Sequence, residues 1–191
     1  MTDNPINSWF VAPPPTDERD IVLGQFMAEW ADLETQLILI LNILIGTKLE
    51  IAYTIFKTGF QSNTLSELFK ALGEIRLTKS EQQELKSLCK RYTKAATKRN
   101  RIVHGIWITD ANPTDSTISD WVRICAPVSP GLQKQIHNKF NQKAYTNYRF
   151  TLKQILTSCE DIKSLSRDMG HFSGAIMNRL YPGEGLPPEL F

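Results

Sequence analysis

The sequence predicts an all-α fold: an up-and-down helical bundle with a small β-hairpin insertion after its fourth helix. Three observations carry that prediction. Apolar residues recur at alternating steps of three and four through most of the chain. Glycines or Ser/Thr caps stand at the breaks between these stretches. After Gly105 the period shortens to brief apolar or alternating runs around a turn-rich loop. With 191 residues, 41% of them apolar, the chain is long enough to bury one good core and short for two. The expectation is therefore one domain over residues 18–181, with an extended arm at 1–17 and a tail at 182–191.

The elements follow in order. PINSWFVAPPP cannot start a helix because its prolines lack the amide hydrogen and restrict the residues before them. Asp17, Glu18 and Asp20 then enrich an opening helical turn, where acids suit the dipole, and Leu23, Phe26, Trp30, Leu33, Leu37, Ile40 and Leu44 keep a 3,4 spacing up to Gly46. Its second half, LILILNILI, is apolar nearly all round and must be enclosed by other helices. A second helix is expected from Leu49 to Phe60, closed by Gly59. A third starts at Asn63 or Thr64, where Glu67 gives a capping-box spacing, and runs through Leu65, Leu68, Phe69 and Leu72 toward Leu77. The fourth runs from Thr78 or Ser80 to His104, before the terminating Gly105. IWITD and SDWVRICAP flank the turn-rich ANPTDST as a hairpin. Residues 128–149 show no clear period. A last helix spans Thr151 to Leu180, with Gly170 and Gly174 as weak points.

Composition narrows the function. The longest apolar run, Leu37 to Ile45, is broken by Asn42 and is far below membrane-spanning length, so a cytoplasmic protein with no membrane partner is expected. Cys89, Cys125 and Cys159 are odd in number and widely spaced, as reduced core thiols are, and no metal constellation or cofactor motif emerges. There is no glycine-rich phosphate loop after a strand and no nucleophile elbow. The net charge of +2 hides an asymmetry. Residues 85–159 carry thirteen Lys or Arg against three acids, while the rest carries nine against seventeen. Such clustering points to a polyanion, and nucleic acid is the leading partner class.

The fourth helix concentrates this signal. Leu85, Leu88, Tyr92, Ala95, Arg99 and Ile102 form its apolar seam, so Arg99 is a guanidinium inside a packing face. A charge there needs an anionic partner: a carboxylate such as Glu34, as pure architecture, or the phosphate of a ligand. His104 closes the helix, where the dipole favours a cation and an imidazole suits proton transfer. Asn100 shares the face of His104, whereas Arg99 lies about 140° round the helix. A second copy packed antiparallel would bring both groups to one cleft. Lys86, Lys90, Lys94 and Lys98 recur every four residues with Arg91 and Arg101 flanking, a ridge that a phosphate backbone can track. His137 and His171 read as surface or packing histidines, and Trp107, Trp121, Tyr145 and Tyr148 as packing aromatics more than base-stacking ones.

Arg99 and His104 with four residues between them, and Asn100 directly after the arginine, resemble the R-x4-6-H motif of the HEPN superfamily. The stretches GQFMAEWADLETQL and the long basic helix ending VHG are similar to members from prokaryotic defence and toxin systems. The resemblance spans roughly residues 18–180. It implies a homodimer whose paired motifs form a metal-independent endoribonuclease site, acting on RNA without a cofactor. In that reading His104 is the general acid or base, Arg99 binds the scissile phosphate, Asn100 orients either, and Glu34 fixes the arginine or poises the histidine. Lys90, Lys94, Lys98 and Arg101 bind the RNA backbone, and an antitoxin or defence-system protein is a further partner. One branch of the superfamily carries a tyrosine two positions after the histidine; here that place is Ile106, so regulation by AMPylation there is not expected. The alternative is a non-catalytic HEPN-like module that binds RNA or a partner protein.

Overall fold

The computed structural model describes residues 17–58, 62–104, 106–109, 121–124 and 149–183. They form five helices and three short strands: α1 (Asp17–Ile45), α2 (Leu49–Lys57), α3 (Ser62–Arg76), α4 (Lys79–Val103), β1 (Ile106–Thr109), β2 (Trp121–Ile124), β3 (Arg149–Thr151) and α5 (Leu152–Leu180). The chain is thus mostly helical, as its periodicity requires. Contacts group it into two compact units, Met1–Phe26 with Thr97–Ser158, and Met27–Ala96 with Cys159–Phe191.

In the larger unit the apolar half of α1 is enclosed as expected: Leu33, Leu37, Ile40, Leu41, Ile43 and Leu44 are all at most 3% exposed. Burial of six such side chains is worth roughly 10–15 kcal/mol before chain entropy is subtracted. Phe56 of α2, Leu65 and Phe69 of α3, Leu85, Leu88 and Tyr92 of α4, and Ile162, Leu165, Met169, Phe172 and Ile176 of α5 are buried in the same unit. Cross-helix contacts fix the directions. Lys163 reaches Glu29 at 4.0 Å, Gly170 lies against Gln36, and the Tyr181 hydroxyl donates to the Ile43 carbonyl, so α1 and α5 run the same way. Arg179 pairs with Glu81 and Arg91 with Asp168, so α4 runs against α5. Ser66 meets Thr93 and Gly73 packs on Leu85, so α3 runs against α4 as well. The Trp30 and Tyr92 rings stack at 5.6 Å between α1 and α4.

A bend of 119° turns α2 back from α1. Gly46 makes it possible with φ of 69°, a left-handed conformation that ends helices. A Cβ there would lie 2.9 Å from Arg76 Nη1 and 3.0 Å from the Tyr181 hydroxyl. Those two groups cap the end of α1: Arg76 donates to the Leu44 carbonyl at 3.4 Å and Tyr181 to that of Ile43 at 3.2 Å. The buried Asn42 that interrupts the apolar run donates to the Thr47 carbonyl at 2.7 Å, which satisfies its amide. Among the described residues, no single helix is long and apolar enough to cross a membrane.

The other unit contains an antiparallel sheet in the order β1-β2-β3, with Ile106 opposite Ile124, Thr109 opposite Trp121, and Val122 opposite Thr151. Val22, Phe26, Ile102, Phe150 and Ile155 are buried in it. The loop predicted between the first two strands lies outside the described residues. The third strand, only three residues long, falls where the sequence pattern has no period to read.

Several boundaries differ from the sequence reading. Helix α2 stops at Lys57 and not at Phe60, because Thr58 leaves helical geometry while its amide and hydroxyl both donate to the Thr54 carbonyl. Helix α3 begins at Ser62, which puts Thr64 inside it and rules out a Thr64 capping box. Capping boxes form elsewhere. Thr78 and Glu81 exchange bonds at the start of α4, the Thr78 amide donating to Glu81 at 2.7 Å and the Glu81 amide to the Thr78 hydroxyl at 3.4 Å. Thr151 and Gln154 do the same for α5 at 2.9 and 3.2 Å. Gly170 and Gly174 do not interrupt α5, which is continuous to Leu180.

Candidate functional site

The buried stripe of α4 is Leu85, Leu88, Cys89, Tyr92, Ala96 and Ile102. It differs from the predicted seam in two places: Cys89 joins it, and Ala96 is buried where Ala95 is half-buried. Arg99 still falls within that side of the helix, three residues from Ala96 and three from Ile102. It is half-buried, with its Nε shielded from solvent. Its guanidinium turns toward Asn100, donating from Nη1 to the Asn100 Oδ1 at 3.2 Å. An arginine set among apolar neighbours thus holds its charged end at the exposed rim, as long amphipathic side chains do.

The helical pattern persists through the last turn, since the His104 amide donates to the Asn100 carbonyl at 3.1 Å. Asn100 and His104 are therefore one turn apart on adjoining positions, and both are exposed. Asn100 sits between the other two, bound to the arginine and stacked below the histidine position along the helix. Arg99, Asn100 and His104 all belong to the same unit.

The lysine ridge needs a correction in shape. Steps of four residues drift by about 40° on a helix, so a ridge with that spacing winds round it. Lys86, Lys90 and Lys94 are exposed, but Lys98 is half-buried. The face that Lys98 leaves is continued by Thr97 and Arg101, both exposed. Lys90, Lys94, Thr97, Arg101 and His104 follow at spacings of 4, 3, 4 and 3, which is a true helical face. Sequence reasoning passed over Thr97 because it is uncharged; the 3,4 spacing was its signal. Arg91 is committed to Asp168 at 2.6 Å.

Glu34 lies in the other unit, on α1. Its carboxylate accepts from Trp30 Nε1 at 2.9 Å and pairs with Lys57 at 3.4 Å. His171 is exposed on α5, and His137, Cys125, Tyr145 and Tyr148 lie outside the described residues, as do the side chains of Trp107 and Trp121. The two described cysteines are poor nucleophiles. Burial pushes the Cys89 thiol up to about 11, and raises that of Cys159 with help from Glu29 and Glu160. Among the described residues no group of three His, Cys, Asp or Glu could hold a metal ion.

This arrangement can do two things chemically. The exposed face can bind a phosphate chain through Lys90, Lys94 and Arg101, and its far end offers an imidazole for proton transfer. The guanidinium can donate to a phosphate oxygen where it emerges beside Asn100. No family model, curated protein or solved structure matches the chain.

Proposed function

We propose that the protein is a metal-independent endoribonuclease of toxin or antiphage-defence type, cleaving RNA at a site shared by two copies of the chain. The observation that carries this reading is the Arg99–Asn100 hydrogen bond on the last turn of a basic helix, one turn below an exposed His104 at the end of a cationic face. The R-x4-6-H resemblance agrees with it.

The reaction needs no group beyond these side chains. The RNA 2′-oxygen attacks the adjacent phosphorus after giving its proton to a base, and the bond to the 5′-oxygen breaks. That oxygen leaves as a hydroxyl by taking a proton, and the other fragment keeps a 2′,3′-cyclic phosphate. His104 takes the 2′-hydroxyl proton as general base and returns it to the departing 5′-oxygen as general acid. Arg99 donates to the non-bridging oxygens as their charge grows, a contribution strongest when the donor is already in place. Its bond to Asn100 supplies that placement. Lys90, Lys94, Lys98 and Arg101 hold the backbone on either side, with little sequence preference. Glu34, bound by Trp30 and Lys57, keeps that part of α1 in order and acts on the structure more than on the chemistry. A defence-system or antitoxin protein fits as a regulator.

The test is incubation of the purified chain with total RNA in excess chelator, with the ends of any fragments analysed. Cyclic-phosphate ends are expected from the wild type, and His104→Ala should stop cutting while fold and RNA binding persist. Intact RNA with both proteins would leave a stripe that binds RNA without cutting it.

A further inference from the structure

We infer that a nucleic-acid strand lies along the groove between α3 and α4, held by lysines on both walls: Lys70 on α3, and Lys86, Lys90 and Lys94 on α4. The identity of the strand rests on the RNA reading above, but the groove does not depend on cutting.

The two helices run antiparallel within the larger unit, and their contacts set the register. Ser66 Oγ meets Thr93 Oγ1 at 3.4 Å, and a Cβ on Gly73 would lie 3.4 Å from Leu85 Cδ2. Counting between those two points puts Lys70 level with Leu88 and Cys89, in the interval between Lys86 and Lys90. The helical angle then places each lysine on one side of the seam. Lys70 is one turn after Ser66 and about 40° round α3 from it, and Lys86 is two turns before Thr93 and about 20° round α4. Lys90 lies about 60° from Thr93 in the same sense. Leu65 and Phe69 of α3 and Leu85, Leu88 and Tyr92 of α4 fill the inner side of the pair, while all four lysines are exposed. Lys70 therefore stands on the outer rim of the groove, across from Lys86 and Lys90. The ridge on α4 winds by about 40° per lysine, and Lys70 gives an anion a second wall where that ridge begins.

The groove lacks a balancing charge. Residues 85–96 contain Lys86, Lys90, Arg91 and Lys94 and no acid. Arg91 turns to Asp168 on the α5 flank, and Glu84, seven residues before it, shares that flank. Glu67 and Glu74 are exposed on either side of Lys70 along α3, but stand about 60° and 40° farther round, away from α4. Among the described residues no carboxylate pairs with any of the four lysines. The partner must bring negative charge repeated at short intervals. Lys86, Lys90 and Lys94 follow at steps of about 6 Å, an interval that successive phosphates of an extended strand match and that carboxylates on a folded acidic protein do not keep. Lysine meets a phosphate as a point charge, so the groove holds the backbone and ignores the bases.

Fluorescence anisotropy of a dye-labelled oligothymidylate with the full chain tests the inference. The deoxy strand has the phosphates of RNA and lacks the 2′-hydroxyl, so it is bound and not consumed. Each lysine that meets a phosphate adds about 0.7 to the steepness of log affinity against log salt. Lys70→Gln should therefore lower the slope by about 0.7 and weaken binding about fivefold at 0.1 M salt, and Lys86→Gln should do the same. Replacing all four lysines with glutamine should lower the slope by about 3. Lys70→Arg should bind as the wild type does. Lys163→Gln, on α5 beside Glu29, should leave affinity and slope unchanged. Lys70→Gln binding like the wild type, Lys163→Gln weakening the strand as much as Lys70→Gln, polyglutamate displacing the strand at equal charge, or no binding in low salt would each overturn the inference. The two proposals fail separately. A chain that cuts RNA and binds the strand equally well without Lys70 loses only the groove, whereas one that grips the deoxy strand through Lys70 and leaves every RNA intact loses only the nuclease.

Discussion

Glu81→Gln tests the clamp that closes α4 onto α5. The Glu81 carboxylate accepts from Arg179 Nε at 2.7 Å and Nη2 at 2.8 Å, and from the Thr78 amide at 2.7 Å and hydroxyl at 2.8 Å. The Arg179 hydrogen bonds, with those from Thr78, hold its carboxyl below the usual glutamate value of 4.5 against the opposing effect of burial. Glutamine keeps one acceptor oxygen and loses the charge and the fork-to-fork pairing. A glutamine can keep the capping box, as Gln154 does for α5, so the ion pair carries the difference. Arg179 is 39% exposed, which limits that pair to about 1 kcal/mol. A loss of about 1 kcal/mol lowers the melting temperature of a chain this size by about 2–4 °C. The sign of the pH dependence follows from the lowered value. The contribution is present in full above about 4.5, the unfolded value, and is lost as pH falls through the folded one. Melting of wild type and variant, followed by circular dichroism at pH 7 and pH 3, should therefore show a gap at pH 7 that narrows toward pH 3. Equal gaps at both pH values, or none at pH 7, would refute the assignment of the charge to this clamp.

Other expectations rest on single positions. Ile102, fully buried one turn from the candidate site, should cost about 2–4 kcal/mol as Ile102→Ala in urea unfolding. Its exposed neighbour should cost no more than about 1 kcal/mol as Arg101→Ala, while weakening RNA binding in a filter assay. Gly46→Ala combines a left-handed φ with a Cβ 2.9 Å from Arg76 Nη1, and should destabilise by about 1–2 kcal/mol in the same unfolding assay. Cys89, buried and protonated with its thiol pushed up to about 11, should resist a thiol reagent at pH 8 in the folded chain and react at once in denaturant.

The helices were legible because their information is local and repeated. Trp30, Leu33, Leu37, Ile40 and Leu44 announce one face of α1, and the structure buries all five. Caps were legible in kind and misplaced in position. Thr64-x-x-Glu67 and Thr78-x-x-Glu81 have the same pattern, and only the actual start of α3 at Ser62 decides that the second is used. The third strand is too short for any alternation to register. Within the site, the sequence placed Arg99 on the apolar side and His104 at the helix end. The resemblance left Asn100 to orient either Arg99 or His104, and which of the two it holds depends on rotamers and not on spacing. The commitment of Glu34 to Trp30 and Lys57 was equally invisible, since the choice among cations needs the fold.

The central claim is that Arg99 of one chain and His104 of another act on one phosphate. Mixing two inactive variants, Arg99→Ala and His104→Ala, in the presence of RNA tests it most directly. Chains that pair at random give heterodimers with one intact composite site, so the mixture should recover about a quarter of wild-type cleavage. A mixture as inert as either variant alone, beside an active wild type, would contradict the account.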